Sequence, residues 1–289
     1  MMLADRSTKH KDDKAPGSPP SVLAQLLAER RPVVMGVLNI TPDSFSDGGR
    51  FIEPEHALAQ AKRMIAEGAD IIDVGAESTR PYGGAVAIAA EEELARLTPI
   101  LGKIVGLGTP VSIDTTKAAV AAWAIDAGAS IVNDVWGLQR DPELAKIVAE
   151  RGVPVVIMHN RDKTDAAIDI MAEIEGFFAR SLNIATHAGI RRDRIVLDPG
   201  IGFGKTAEQS LAAIRHLDRL KSFGLPLLVG ASRKRFISAV VPSEPAERLG
   251  GSVAAHLLAV ENGAAIVRVH DVAETVQALR VAAAIRGRP

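Results

Sequence analysis

Residues 33–49 read VVMGVLNITPDSFSDGG. The run 33–38 lacks the alternation of a half-wet strand and is apolar on both faces, as a buried parallel strand would be. Beyond Asn39 it passes into a turn-rich stretch, Ile40 to Gly49, that opens no helix. An open doubly wound sheet would normally carry a phosphate-binding glycine pattern at this point, ahead of its first helix. That alternative is therefore disfavoured. Similar short apolar runs recur at 70–74, 111–113, 131–132, 155–158, 195–197, 227–229 and 265–269. Between them lie Ala-rich amphipathic segments at 54–67, 91–105, 117–127, 142–150, 169–188, 208–223, 246–262 and 272–285. Gly68, Gly128, Gly152 and Gly263 fall where helices should stop. About eight βα units without a break in composition predict one (β/α)8 barrel of TIM type, its chemistry at the C-terminal face of the strands. A helix over 21–29 is expected to cover the opposite end.

Composition bounds the function. The chain has 289 residues, long enough for a substantial core, with 47% hydrophobic and 24% charged residues. Lys+Arg 34 against Asp+Glu 35 leaves a net charge of -1, so no broad attraction to nucleic acid or an anionic membrane is expected. Without cysteine, disulfides and thiolate metal sites are excluded. No apolar stretch approaches the ~18 residues of a membrane span. Residues 1–20 are rich in Lys, Asp, Pro and Gly and read as a disordered tail rather than a targeting segment, leaving a single domain over 21–289. A cytoplasmic location is the default.

The polar residues fall at the ends of the predicted strands. In order these are Asn39, Asp73, Asp114, Asn133, His159, Asp198, Ser232 with Lys234, and Arg268 with His270. Any one of them could be an ordinary helix cap or turn residue. A polar residue on every strand is hard to attribute to capping, and the set reads as an active-site ring. Asp114, Asn133 and Asp198 suit the N–H edge of a heterocycle. Arg80, Lys234, Arg268 and His270 suit a phosphate or carboxylate. Asn39 and Asp73 are hard oxygen donors, so a metal would be Mg²⁺ held partly by substrate phosphate rather than Zn²⁺. His56, His187, His216 and His256 lie inside helical patterns and read as surface or packing residues.

Several motifs fail on inspection. Residues 200–206, GIGFGKT, end like a Walker A loop, but Pro199 stands where the first glycine is needed. The stretch reads instead as a turn whose backbone approaches a ligand, with Phe203 a candidate stacking face. Residues 232–235, SRKR, are either a solvated helix start or, after Gly230, an anion site of backbone N–H groups plus Lys234. No G-x-S-x-G elbow is present.

At these residues the chain resembles the dihydropteroate synthases. The motifs are MGVLNITPDSFSDGG (35–49), DVGAESTRP (73–81), SIDT (112–115), VND (132–134), LDPGIGFGK (197–205), SRK (232–234) and RVHD (268–271). The likeness runs from about 33 to 285, and seven blocks in order make it specific. It implies a pterin-binding TIM barrel that condenses 6-hydroxymethyl-7,8-dihydropterin diphosphate with p-aminobenzoate, giving dihydropteroate and pyrophosphate in folate synthesis. By motif it implies that Asp114, Asn133, Asp198 and Lys234 hold the pterin and that Asn39 meets Mg²⁺. Arg268 and His270 would receive the pyrophosphate, and Thr79, Arg80, Phe203 and Ser232 would line the p-aminobenzoate side. Asn39, Asp73, Arg80, Lys234, Arg268 and His270 form the expected catalytic set. A homodimer through the C-terminal helices is also implied, although Val272, Val276, Leu279 and Ile285 would serve equally as barrel-facing residues.

The chain departs from the family pattern at 82–88, where many members have a shorter turn, and at 158–161, MHNR, where many carry a second Met. Two other functions compete. A methyltransferase domain handling methyltetrahydrofolate would share the Asp/Asn/Asp pocket but not need Lys234 or Arg268 for pyrophosphate. A non-catalytic paralogue would not need Asn39, Arg80, Lys234 and Arg268 together.

Overall fold

The computed structural model describes residues 20–40, 54–77 and 88–287. The strands are β1 (Val33–Asn39), β2 (Ile71–Gly75), β3 (Val111–Asp114), β4 (Ile131–Asp134), β5 (Val155–Met158), β6 (Ile195–Asp198), β7 (Leu227–Val229) and β8 (Ala264–Val269). All pair in parallel with their sequence neighbours, and β1 pairs with β8 to close the barrel. Parallel pairing forces a crossover after each strand, and the Ala-rich segments supply it.

The covering helices are α1 (Val22–Ala28), α2 (Pro54–Ala66), α3 (Ala90–Leu97), α4 (Leu101–Val105), α5 (Ala118–Asp126) and α6 (Pro142–Arg151). They continue with α7 (Ile170–Ala188), α8 (Ala207–Arg215), α9 (Arg235–Val240), α10 (Leu249–Glu261) and α11 (Val272–Ile285). The expected helix over 91–105 is two helices, because Pro99 lacks an N–H and disfavours helical geometry in the residue before it. Similarly, 208–223 splits into α8 and the 3₁₀ turns of Leu217–Phe223. The short helix α9 was not evident from sequence periodicity.

Two apolar layers hold the barrel. Outward-facing strand residues such as Val34, Ile72 and Val132 pack under the helices. Inward-facing residues, among them Met35, Ile71, Ile131, Val196 and Ile266, fill the N-terminal half of the interior. Helix α1 closes that end. Ser21 caps it by accepting from the Ala24 N–H at 3.2 Å, and Leu23 inserts into the inner layer at 2% exposure. Residues 1–19, where a tail is expected, lie outside the described residues.

Candidate active site

Side chains alternate across a strand, so the inward face of each can be read from bottom to mouth. On β1 it runs Val33, Met35, Val37, Asn39; on β2, Ile71 then Asp73; on β4, Ile131 then Asn133. On β6 it runs Val196 then Asp198, and on β8, Ile266 then Arg268. Apolar residues thus fill the lower layer and polar residues the upper. The upper layer opens into a cavity of about 960 Å³ walled by Asn39, Asp114, Phe203, Ser232, Lys234, Arg268 and His270. Its floor adds Asn133 and Asp198.

One guanidinium organises the floor. Arg268 Nε donates to Asp73 Oδ2 at 2.6 Å and Nη2 to Asp114 Oδ2 at 2.8 Å. Asn133 Nδ2 donates to the same Asp73 oxygen at 3.1 Å. Asp73 is fully buried beneath these partners and is not part of the cavity wall. Burial works against the Arg268 charge, but Asp73 and Asp114 outweigh it and raise the guanidinium above its ordinary value. Two carboxylates share that single cation. Burial pushes the Asp114 carboxyl up to about 8 despite Arg268, and burial likewise raises Asp198. Asp114 borders the cavity, and its buried Oδ1 has no hydrogen-bond partner among the described residues. Such a buried acceptor requires a hydrogen-bond donor from a ligand or water.

Lys234 faces Asp198 across the floor. Its Nζ lies 4.5 Å from the centroid of the Phe203 ring and donates to the Ile201 carbonyl. Burial lowers this amine to about 8, which leaves it largely charged at pH 7. His270 differs from its sequence reading as a cation. Burial, reinforced by Arg268, lowers its pKa to about 3, so the imidazole is neutral, with Nδ1 3.0 Å from Ser232 Oγ.

The loop after β6 folds back on β5. Gly200 has φ +64, and a Cβ there would collide with the His159 carbonyl oxygen, so only glycine fits. Asp198 Oδ1 accepts from the Gly200 N–H at 2.7 Å, and Lys205 lies buried beneath the turn. His159, expected in the ring, is buried against Lys205 and against the edge of Phe177 instead of lining the cavity. At the variant 158–161 segment, Arg161 Nη1 donates to the Gly204 carbonyl at 3.4 Å.

The turn after β7 carries Ser232 and Lys234 on either side of Arg233, whose φ of 58° is unusual for a side-chain-bearing residue. Helix α10 holds it there. Ser252 Oγ accepts from the Arg233 N–H at 2.9 Å, Arg248 Nη1 donates to the Arg233 carbonyl at 3.0 Å, and His256 Nε2 accepts from Ala231 N at 3.2 Å. The Arg233 N–H is therefore not available to an anion, contrary to one sequence reading of 232–235. These supporting residues escaped the sequence analysis, although Arg248, Ser252 and His256 recur every four residues, as one helix face does. His256 is buried, while His56, His187 and His216 are exposed.

Thr79 and Arg80, most of the 82–88 departure and most of the loop after Asn39 lie outside the described residues. Among the described residues no group of three His, Asp or Glu side chains could form a metal cage. The half-buried Asn39 amide at the cavity wall is nevertheless a hard oxygen ligand. One such donor fits an ion that arrives with a phosphate and keeps its remaining coordination to phosphate and water.

Residues 35–270 match the pterin binding enzyme family. The dihydropteroate synthase of Clostridium beijerinckii is 47% identical over 253 residues, 87% of this chain and 93% of that protein. The chain belongs to the dihydropteroate synthases of the pterin-binding enzyme family. Two solved members of the family share its fold. The dihydropteroate synthase of Clostridium difficile, determined in the presence of pteroic acid, has a TM-score of 0.85 at 47% identity, covering 89% of this chain and 97% of that one. The Xanthomonas albilineans enzyme with 4-aminobenzoic acid has a TM-score of 0.85 at 46% identity, covering 90% and 94%. Among the described residues, no helix is long and apolar enough to cross a membrane.

Proposed function

We propose that this chain condenses 6-hydroxymethyl-7,8-dihydropterin diphosphate with p-aminobenzoate to give 7,8-dihydropteroate and pyrophosphate. The observation that carries the reading is the cavity floor, where Asp114, Asn133 and Asp198 meet Lys234 and Arg268 within one small enclosure. A pterin edge presents several N–H donors, and the buried Asp114 Oδ1 without a partner is the acceptor best placed for one. Asn133 and Asp198 supply further acceptors. Arg268, Lys234 and neutral His270 face the diphosphate, with Arg268 and Lys234 opposing the negative charge that grows as it departs. Phe203 and Ser232 form the p-aminobenzoate wall, together with Thr79 and Arg80 as the sequence assigns them.

In the reaction the methylene C–O bond to diphosphate breaks and a C–N bond to the arylamine forms, while the amine nitrogen gives up one proton, which the departing pyrophosphate can take. The arylamine is neutral at pH 7, so no strong general base is needed. Carboxylates beside the electron-rich pterin stabilise positive charge on the methylene, favouring an SN1-like displacement. Asn39 would hold Mg²⁺. When bound, that ion would neutralise charge on the leaving diphosphate.

The methyltransferase alternative has no use for cations poised over the pterin floor, and a non-catalytic paralogue has no need of them. The deciding assay is pyrophosphate release dependent on both substrates. Release with neither or with only one required would reject the reading. We further place the enzyme in the cytoplasm as a homodimer. Exposed Leu258 on α10 and Val281 and Ile285 on α11 support a partner surface, whereas Val272 and Leu279 are buried and Val276 packs inward on the barrel. Light scattering at the mass of one chain would exclude the dimer.

A further inference from the structure

Lysine is rarely buried, because desolvating an ammonium is costly unless its hydrogen bonds are replaced. Lys205 is 1% exposed and borders the cavity, but not the floor where Lys234 and Arg268 meet Asp198. Its Nζ meets His159 Nδ1 at 2.6 Å, the Gly200 carbonyl at 2.9 Å and the Phe203 carbonyl at 3.1 Å. All three can accept from its N–H groups, although burial lowers the amine well below its ordinary value. A methionine would fill similar space without the desolvation cost, so packing alone does not account for the amine.

The geometry of those partners is specific. Gly200 and Phe203 are the two ends of a single turn, closed by a Phe203 N–H to Gly200 carbonyl bond of 3.0 Å. Lys205 thus gathers both end carbonyls from below and leaves the Phe203 side chain to face the cavity. His159 fixes the other side. Its N–H donates to the Asp198 carbonyl at 2.8 Å, and its ring packs edge-on to Phe177 with centroids 5.0 Å apart. Burial keeps that imidazole neutral, with its pKa lowered to about 2, so a ring lone pair remains to accept from Lys205.

We propose that Lys205, seated on His159, is a positioning residue for the arylamine subsite and acts through the Phe203 wall. The proposal rests on the assignment of Phe203 to p-aminobenzoate. Lys205 borders the cavity with its amine turned to the carbonyls of the turn, and His159 lies outside the lining. Their effect passes through the turn 200–203, whose Phe203 ring is the face that the arylamine meets.

The test is a double-mutant cycle on the full chain with Lys205→Met and Phe203→Ala, reading KM for p-aminobenzoate, kcat, and the affinity for 6-hydroxymethylpterin by calorimetry. Lys205→Met should raise KM for p-aminobenzoate roughly tenfold while pterin affinity changes no more than about twofold. In the Phe203→Ala background it should add little, because the wall it positions is already gone. If Lys205→Met fails to fold, His159→Phe serves instead. It keeps an aromatic ring against Phe177, removes the acceptor, and should give the same split. Pterin affinity falling in step with the KM rise, independent effects in the double variant, or wild-type kinetics in the single variants would each overturn the proposal. A Phe203→Ala variant with unchanged KM would instead remove the subsite assignment, and loss of pyrophosphate release in the wild type would remove the reaction.

Discussion

Asp73 and Asp114 confront one guanidinium, and the charge count there is uneven. Burial raises the Asp114 carboxyl to about 8 against the pull of Arg268, with Asp73 adding to the rise, while a pterin N–H at Oδ1 would favour the ionised, accepting form. Between pH 4 and 8 the native protein therefore binds a proton that the unfolded chain, with an Asp near ~3.9, has released. The contribution of this group to stability is complete below about pH 4 and is lost as pH rises through about 8. Asp114→Asn cannot titrate. Its melting temperature should accordingly gain on that of the wild type as pH is raised from 5 to 8, measured by calorimetry in matched buffers. Parallel curves would mean that Asp114 is ionised throughout this range. Ligand binding draws on the same side chain. Asp114→Ala or Asp198→Ala leaves a pterin N–H facing no acceptor, and the expected loss is at least ~2 kcal/mol, or about 30-fold. Unchanged pterin affinity in either variant would remove that residue from the pterin site.

At the scale of elements, α1 is a plug whose work is separable from catalysis. Leu23 packs among Met35, Ile71 and Ile266 at the end of the barrel remote from the polar layer. Leu23→Ala should cost ~2–4 kcal/mol in urea unfolding, as buried leucines do, while both KM values stay near wild type. A large KM change would mean that the two ends of the barrel are coupled. The separation also explains what could be read in advance. Strands buried on both faces leave unbroken apolar runs, so all eight were visible, as was the polar residue near the mouth of nearly every one. Helix 91–105 was overextended, since its pattern continues across Pro99 and only the backbone restriction of proline divides it. Asp73 and His159 show what sequence withholds, since it places a residue on a strand but does not say whether a neighbour covers it. Arg268 covers the first, and the 200–205 turn covers the second. The supports from α10 were missed for a related reason. Arg248, Ser252 and His256 act on the backbone of a turn far away in sequence, and a polar helix stripe carries no mark of what it will bond.

For the molecule as a whole, the layout of charge argues for an order of binding. The cations of the floor are engaged internally, Arg268 with Asp73 and Asp114, and Lys234 with the Ile201 carbonyl. p-Aminobenzoate alone carries a single carboxylate and offers nothing to the pterin acceptors, so it has little with which to draw these groups out of their pairs. A diphosphate carries more charge and competes for Arg268. As Arg268 turns to it, Asp114 is released to accept from the pterin edge, and the two halves of the first substrate favour each other. The bound pterin then completes the enclosure beside Phe203 and Ser232 in which the arylamine sits. Binding of p-aminobenzoate should consequently be tight only after pterin diphosphate, or pyrophosphate with Mg²⁺, is present. By linkage the coupling must be reciprocal, so p-aminobenzoate should strengthen pyrophosphate binding by the same factor. The segments 39–50 and 78–90, whose Gly, Pro, Ser, Thr and Asp content predicts loops that close over such an anion, lie largely outside the described residues, and the coupling is argued from the floor alone. Titration of p-aminobenzoate with and without pyrophosphate and Mg²⁺ measures the coupling directly. Arg268→Gln should reduce it, because the exchange of partners begins with that guanidinium. Equal affinities in the two wild-type titrations would show that the anion does not prepare the arylamine site.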